Sequence, residues 1–364
     1  MRNVISASLD DPETYARFDP ESMLGYIEKV PELCEKAWQS AMSFELPDHF
    51  RKADKVVVLG MGGSAIGGDL VSSLVTGESK VPIILCRDYH IPGFVDDKTL
   101  VIASSYSGGT EETLSAFSES LKIGARNLAI THGGKLLNIA KKANVPVFYI
   151  DHESQPRAAL PFSIMPILCF LQKLGFIGDK SEELAETVDL LGKLSAELAV
   201  DTPLSDNTAK QLASRLHGRI AIIYGAEHLS QTAHRWKAQI NENAKAWAIY
   251  DVFSELNHNS VVGYEFPKEV AKKLFVILLY SPNLGERVKL RYSLTCELLE
   301  NAKIGYEYAE SRGESRLCQM MSTVLLGDYV SYYLAMLNGV DPMPAKAIDY
   351  LKEVMSKIPF GNAK

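Results

Sequence analysis

This sequence contains few cysteines and no common metal-binding motif, and these absences disfavour several classes of protein. Only five of its 364 residues are cysteine, each is isolated, and no CxxC pair occurs. An odd number of scattered thiols argues against a disulfide framework and a zinc ribbon, and favours reduced thiols in a cytoplasmic protein. HExxH is absent, and the eight histidines show no convincing ligand spacing, so we expect no metal site.

Long apolar runs and basic runs are missing as well. The most apolar stretch, PFSIMPILCFLQKLGF (161–176), is too short and too interrupted by Ser, Pro and Lys to cross about 30 Å of hydrocarbon. The acidic N-terminus, MRNVISASLDDPETY, has no apolar signal region. With 45 acidic and 38 basic residues, the net charge of −7 provides no broad positive field. Neither a membrane nor nucleic acid is expected as a partner, whereas a small anion needs only a local site.

Short β-branched runs alternate with stretches of helical period in the first half of the chain. The strands predicted there are 55–60, 81–86, 99–105, 127–131 and 145–150, and the helices lie at about 64–76, 110–123, 135–143 and 157–174. Each strand is almost continuously apolar, which is typical of a strand covered on both faces. Strand, helix and strand in this order predict a parallel sheet with right-handed crossovers.

The charged amphipathic stretch at 181–207 separates this half from a second one. Alternation then resumes, with strands predicted at 219–225, 273–281 and 304–309 and helices at about 228–247, 285–302 and 315–338. VVVLGMGGSA (56–65) is echoed by AIIYGAEHLS (221–230), and VIASSYSGGTEE (101–112) by VILLYSPNLGE (276–286), which indicates a duplicated unit. We therefore predict two tandem doubly wound α/β domains, 1–180 and 208–364, joined by a helical linker at 181–207. Only the first copy keeps its glycines and hydroxyls, so only it is expected to hold an anion.

Two loops of the first half could carry chemistry. LGMGGSAIGGDL (59–70) follows a strand, but it contains neither a convincing GxGxxG frame nor a GxxxxGK[ST] lysine, which disfavours a dinucleotide or a triphosphate. Its glycines could simply permit a tight turn and close helix–sheet packing. SSYSGGTEET (104–113) places Ser105, Ser107 and Thr110 around two glycines at the start of a helix. Three hydroxyls and unpaired N–H groups suit one phosphate, and the alternative is capping and turn formation alone.

Several ordered motifs together resemble a known family. GGSA (62–65), SYSGGTEE (105–112) and the two tandem units resemble the sugar isomerase (SIS) family of phosphosugar-binding domains. SQPRAALPF (154–162), HRWKAQINENAKAWA (234–248), ELNHNSVVGYE (255–265) and DPMPAKAIDYLK (341–352) are similar to segments of the bifunctional phosphoglucose/phosphomannose isomerases. The resemblance runs from about residue 20 to the C-terminus.

The resemblance implies the reaction and the assembly. The expected activity is the interconversion of glucose 6-phosphate and mannose 6-phosphate with fructose 6-phosphate through a cis-enediol, without metal or cofactor. The expected assembly is a homodimer in which a histidine loop reaches the neighbour's pocket. Phosphate would be bound by Ser105, Ser107 and Thr110, and the backbone of 62–64 (Gly62, Gly63, Ser64) would lie close to the sugar.

The same resemblance assigns a base. Glu242 in NENAKA would move the proton between C1 and C2. From the sequence alone, Glu242 lies opposite an apolar helix stripe formed by Trp236, Ile240, Ala244 and Trp247, and it could simply be solvated.

The family resemblance also implies roles for three further residues. Arg157 would stabilise the enediolate, and a structural ion pair is its alternative. His258 would open the pyranose ring, unless it is a loop histidine bonded to its flanking asparagines. Lys352 matches the family lysine that assists ring opening, but Lys346 is close enough in register to stay a candidate.

Two other functions remain open at this stage. A non-catalytic phosphosugar sensor would need the same hydroxyls of Ser105, Ser107 and Thr110 but no base. Such a regulator would also carry a DNA-reading or partner-binding segment, and residues 1–50 contain no basic recognition helix. An isomerase of an amino or pentose phosphosugar would tolerate the same motifs.

Overall fold

A computed structural model describes residues 8–358 of the chain. Within them, all strands are parallel and form two sheets, of order β2-β1-β3-β4-β5 and β7-β6-β8-β9. The strands are Lys55–Leu59 (β1), Ile83–Cys86 (β2), Thr99–Ser104 (β3), Arg126–Thr131 (β4), Val147–Tyr149 (β5), Ile220–Gly225 (β6), Ala248–Val252 (β7), Leu274–Tyr280 (β8) and Gly305–Glu310 (β9). The predicted α/β class with two doubly wound parallel sheets is confirmed.

Helices cover both faces of each sheet. In chain order they are Pro12–Phe18 (α1), Met23–Glu28 (α2), Val30–Ser43 (α3), Gly62–Val75 (α4), Glu111–Ile123 (α5), Gly134–Lys142 (α6), Pro161–Leu174 (α7), Ser181–Glu197 (α8), Thr208–Leu216 (α9), Ser230–Ala244 (α10), Lys268–Ala271 (α11), Glu286–Asn301 (α12), Arg316–Leu337 (α13) and Lys346–Ser356 (α14). Short 3-10 helices lie at Asp48–Lys52, Glu227–Leu229, Glu255–His258 and Ser260–Glu265.

The sequence analysis missed one strand, β7. The helix predicted to run to about residue 247 ends at Ala244, where Lys245 takes up a left-handed backbone conformation, and the chain re-enters the sheet at Ala248. No glycine or proline marks this turn, so the helical pattern hides it. Trp247 consequently lies outside the helix and is 78% exposed. The prediction that it belongs to the apolar stripe of the helix is wrong, and that stripe ends at Ala244.

The two sheets enclose a shared helical layer. The largest apolar core joins the inner faces of both sheets to α3, α4, α7, α10 and α13, and two smaller cores lie on the outer faces. Helix α13 is buried along almost its whole length, which explains its lack of a polar face. Helix α8, in the proposed linker, packs against α3 and α13 through Leu184, Leu191 and Leu194. The domain limits at 180 and 208 stay a prediction.

The sequence analysis expected neither a disulfide framework nor a membrane span. All five cysteines are free and buried. No helix between residues 8 and 358 is long and apolar enough to cross a membrane.

Candidate active site

The hydroxyl loop between β3 and α5 is held in one conformation by the backbone. Ser105 N–H donates to the Ile130 carbonyl, and Gly108 has φ +63°, where a Cβ would lie 1.8 Å from the Gly133 oxygen. Glycine is therefore required at 108 by both conformation and space. Ser105 Oγ and Thr110 Oγ1 are 3.0 Å apart, so the structure brings two of the three predicted hydroxyls into hydrogen-bond contact.

The start of α5 is left open. Thr110 occupies the N-cap position as predicted, but its side chain makes no hydrogen bond to the helix. Ser107 is exposed, and its Oγ accepts from Gly109 N–H at 3.3 Å. Glu111 and Glu112 complement the helix dipole and would repel an anion, so binding must come from hydroxyl and backbone donors.

Two helix starts in the second half, including that of α12, which corresponds to α5, are occupied by the protein's own carboxylates. Glu227 Oε1 accepts from Gly285 N–H at 3.0 Å at the start of α12, and Glu186 accepts from Glu314 and Ser315 N–H before α13. Because a carboxylate already fills these positions, the second half presents no equivalent open anion site there.

The first turn of α4, residues 62–64, packs between the hydroxyl loop and residue 157. Ser64 Oγ accepts from Tyr106 N–H at 3.1 Å, and a Cβ on Gly63 would lie 2.8 Å from the Pro156 oxygen. Gly62 has φ +49° at the first position of α4. The predicted sugar-side residues 62–64 thus connect the hydroxyl loop to Arg157.

Arg157 is buried, and three of its five guanidinium N–H groups are hydrogen-bonded. Its Nε donates to Asn243 Oδ1 at 2.8 Å, and its Nη2 donates to the Pro342 and Met343 carbonyls at 2.6 and 2.7 Å. Nη1 lies 3.8 Å from Glu242 Oε2. Burial lowers the pKa of Arg157, and Glu242 opposes the change. Both sequence interpretations of Arg157 therefore have a structural counterpart: three bonds anchor it, and one nitrogen faces the proposed base.

Glu242 lies in the last turn of α10, on the side away from Trp236 and Ile240. Its side chain is 27% exposed and lines a cleft of about 580 Å³. The other lining residues are Asn241, Lys245, Val340, Asp341, Pro344, Ala345, Lys346, Ala347 and Ile348. The hydroxyl loop does not line this cleft, and it is connected to Glu242 through residues 62–64 and Arg157.

The two candidate lysines are placed differently. Lys346 lines the Glu242 cleft at the start of α14, whereas Lys352 lies farther along that helix, outside the lining. Every residue of α14 is exposed. The structure therefore places Lys346, and not Lys352, in the lining of the Glu242 cleft.

His258 lies on a separate loop after β7. It is exposed and does not line the Glu242 cleft. Its flanking residues bond elsewhere: Asn257 Nδ2 donates to Thr295 Oγ1 and Asn259 Nδ2 to Glu255. Within one chain, the structure does not bring His258 to the other site residues.

Three polar residues of the site were missed in the sequence analysis. Asn243 bridges Arg157 and Ser331, Lys245 bonds main-chain oxygens beside the cleft, and Asp341 accepts from Met343 N–H. Asn243 and Lys245 follow Glu242 within the NENAKA motif, and this proximity in sequence was the available signal. Among residues 8–358, no group of three His, Cys, Asp or Glu side chains could hold a metal ion.

Comparison with known proteins identifies the family of this chain. Residues 205–355 match the family model described as the bacterial phospho-glucose isomerase C-terminal SIS domain. A bifunctional phosphoglucose/phosphomannose isomerase of Caldicellulosiruptor bescii is 42% identical over 337 residues, which are 92% of this chain and 99% of that protein. The chain belongs to the bifunctional phosphoglucose/phosphomannose isomerase family.

Other matches extend the comparison beyond that relative. A bifunctional phosphoglucose/phosphomannose isomerase of Aquifex aeolicus is 35% identical over 83% of this chain and 90% of its own. The crystal structure of a hypothetical protein of Thermus thermophilus superposes with a TM-score of 0.71 at 19% identity, covering 95% of this chain and 92% of that one. An identity of 19% shows only that the two proteins share a fold. The resemblance to phosphoglucose/phosphomannose isomerases read from the motifs is confirmed.

Proposed function

We propose that this chain interconverts glucose 6-phosphate and mannose 6-phosphate with fructose 6-phosphate through a cis-enediol or enediolate, without a metal ion. The observation that carries the proposal is the position of Arg157. Its backbone packs against the 62–64 turn, which contacts the hydroxyl loop, and its Nη1 faces Glu242 at 3.8 Å. The loop proposed to bind the phosphate, a fixed cation and a carboxylate are thus connected through direct contacts.

Each group has a role in the proposed reaction. Ser105, Ser107, Thr110 and the free N–H groups of α5 bind the phosphate. Glu242 takes the proton from C2 of the open-chain aldose and returns it to C1, while one proton leaves the C2 hydroxyl and one reaches the C1 oxygen. Arg157 Nη1 stabilises the charge that develops on these oxygens. Because the two aldoses differ only at C2, one base serves both when the intermediate rotates about C2–C3.

A coupled assay tests this function directly. Formation of fructose 6-phosphate is measured from glucose 6-phosphate and from mannose 6-phosphate, each with EDTA present. Turnover of both substrates supports the proposal. If neither substrate is turned over but the phosphosugar still binds, the protein is a sensor. If only an amino or pentose phosphosugar is turned over, it is another isomerase. Loss of turnover with EDTA contradicts the metal-free reaction.

Ser107→Ala tests the phosphate loop. Removing one hydroxyl donor to a charged group is expected to raise KM for the phosphosugar by about tenfold and to leave kcat almost unchanged. Ser118→Ala is the matched control, because Ser118 lies on α5 and its hydroxyl donates to the Leu114 carbonyl, away from the loop. Equal KM values for the two variants would contradict the role of Ser107.

We also propose a cytoplasmic homodimer with shared sites. His258 is exposed and lies outside its own chain's cleft, and its loop is bonded to α12, whose outer face exposes Leu290, Leu294 and Leu298. A second copy covering this face would bury the leucines and could receive His258, which opens the sugar ring together with Lys352 or Lys346.

Mixed dimers test the shared site. Glu242→Gln and His258→Ala variants are each expected to be nearly inactive, and exchange of subunits should restore activity, because a mixed dimer contains one site with both groups intact. Self-mixing of each variant is the control. Confirmed subunit exchange without recovery would show that each site is complete within one chain.

A further inference from the structure

Lys245 follows α10 in an unusual backbone conformation. Its φ is +54°, at a helix end where glycine is the common residue because a side chain disfavours the left-handed region. Lys303 after α12 takes up the same conformation, so the argument for Lys245 depends on the contacts of its side chain.

The Lys245 ammonium joins two segments of the site. Nζ donates to the Glu242 carbonyl at 2.5 Å and to the Pro342 carbonyl at 3.1 Å. Arg157 Nη2 donates to the same Pro342 oxygen at 2.6 Å. Two cations therefore tie the end of α10 to the segment 340–345.

This segment forms one wall of the Glu242 cleft. Val340, Asp341, Pro344 and Ala345 line it together with Lys245 itself. Burial, followed by repulsion from Arg157, lowers the pKa of Lys245, whereas Asp341 and Glu242 oppose that change. The ammonium thus lies among the groups that surround the proposed base.

We propose that Lys245 is a positioning residue: by tying the Glu242 carbonyl to the Pro342 carbonyl, it fixes the distance between the base and the opposite wall of the cleft. This inference rests on the proposed isomerase function. A wall that shifts by about 1 Å can lower a rate by about 10²-fold, since the reacting groups must be held in a near-attack geometry.

Two substitutions distinguish the effect of the Lys245 ammonium from the effect of its backbone conformation. Lys245→Met removes the charge and keeps the apolar stem, and Lys245→Gly also relieves the left-handed conformation. Both are expected to lower kcat by about 10- to 100-fold with KM within about threefold. Lys245→Arg keeps a donor and is expected to retain at least about a third of the wild-type kcat.

Lys303→Gly is the matched control. Lys303 is also a left-handed lysine at a helix end, with φ +59° after α12, but it is exposed and does not line the cleft. Its substitution relieves the same conformation and is expected to leave kcat within about twofold. Thermal unfolding of every variant shows whether a change in kcat follows a change in stability.

Hydrogen exchange provides a readout that does not depend on activity. Amides of residues 340–348 are expected to exchange faster in Lys245→Met than in the wild type or Lys303→Gly. Unchanged exchange, unchanged kcat in both Lys245 variants, or a rise in KM at constant kcat would each overturn the proposal. If the wild type forms no fructose 6-phosphate, the proposed function fails, and the exchange data still decide whether Lys245 holds the wall.

Discussion

Glu242→Gln is expected to lower kcat for isomerisation by about 10²–10⁴-fold. Glutamine has almost the same shape, but its amide cannot take a proton from carbon. The substitution leaves the three anchoring contacts of Arg157 to Asn243, Pro342 and Met343 in place, so the fold is expected to survive. The coupled assay with both aldose substrates measures the loss, and thermal unfolding verifies the fold.

Glu182→Gln is a suitable control for this change. Glu182 is an exposed residue in the first turn of α8, far along the chain from the cleft, and neutralising it alters net charge by the same amount. Its kcat should match that of the wild type. A Glu242→Gln enzyme that keeps kcat within about tenfold of this control would reject Glu242 as the base.

Arg157→Lys is expected to lower kcat by about 10²–10³-fold, although the charge is kept. One ammonium cannot replace a planar guanidinium that donates from Nε to Asn243 and from Nη2 to two carbonyls while Nη1 faces Glu242. Each buried acceptor that loses its donor costs about 1–3 kcal/mol, so the melting temperature should fall as well. Steady-state kinetics and thermal unfolding measure the two effects.

Arg312→Lys makes the same chemical change at the surface. Arg312 pairs with Glu197, and both side chains are largely exposed, so little loss of activity or stability is expected. Arg157→Lys would contradict the assignment if it lowered the melting temperature while kcat stayed within threefold of this control. That result would leave Arg157 with a structural role only.

The hydroxyl loop illustrates what could be predicted locally. Its strand, its glycines and the start of α5 were all expected from residues that are adjacent in sequence, and the structure places them accordingly. Such features follow from backbone conformations that each residue permits, which a short segment already specifies. The open helix start could not be predicted, because it depends on Thr110 bonding to Ser105 instead of to α5.

The surroundings of Arg157 illustrate the opposite case. Its guanidinium bonds Asn243, Pro342 and Met343, which are separated from it by 86, 185 and 186 positions in the chain. Two of these partners are main-chain oxygens, which are present at every residue and leave no mark in a sequence. The distinction between Lys346 and Lys352 likewise depends on where α14 begins relative to the cleft.

The sequence by itself determined the parallel α/β class, the two sheets, the family and the loop that could bind phosphate, because each is encoded by periodicity or by short motifs. Only the tertiary structure decided which groups meet: Arg157 with Glu242, Lys346 with the cleft, and His258 apart from both. Contacts between distant segments depend on how the helices of both halves pack in one shared core, and no local pattern specifies that packing.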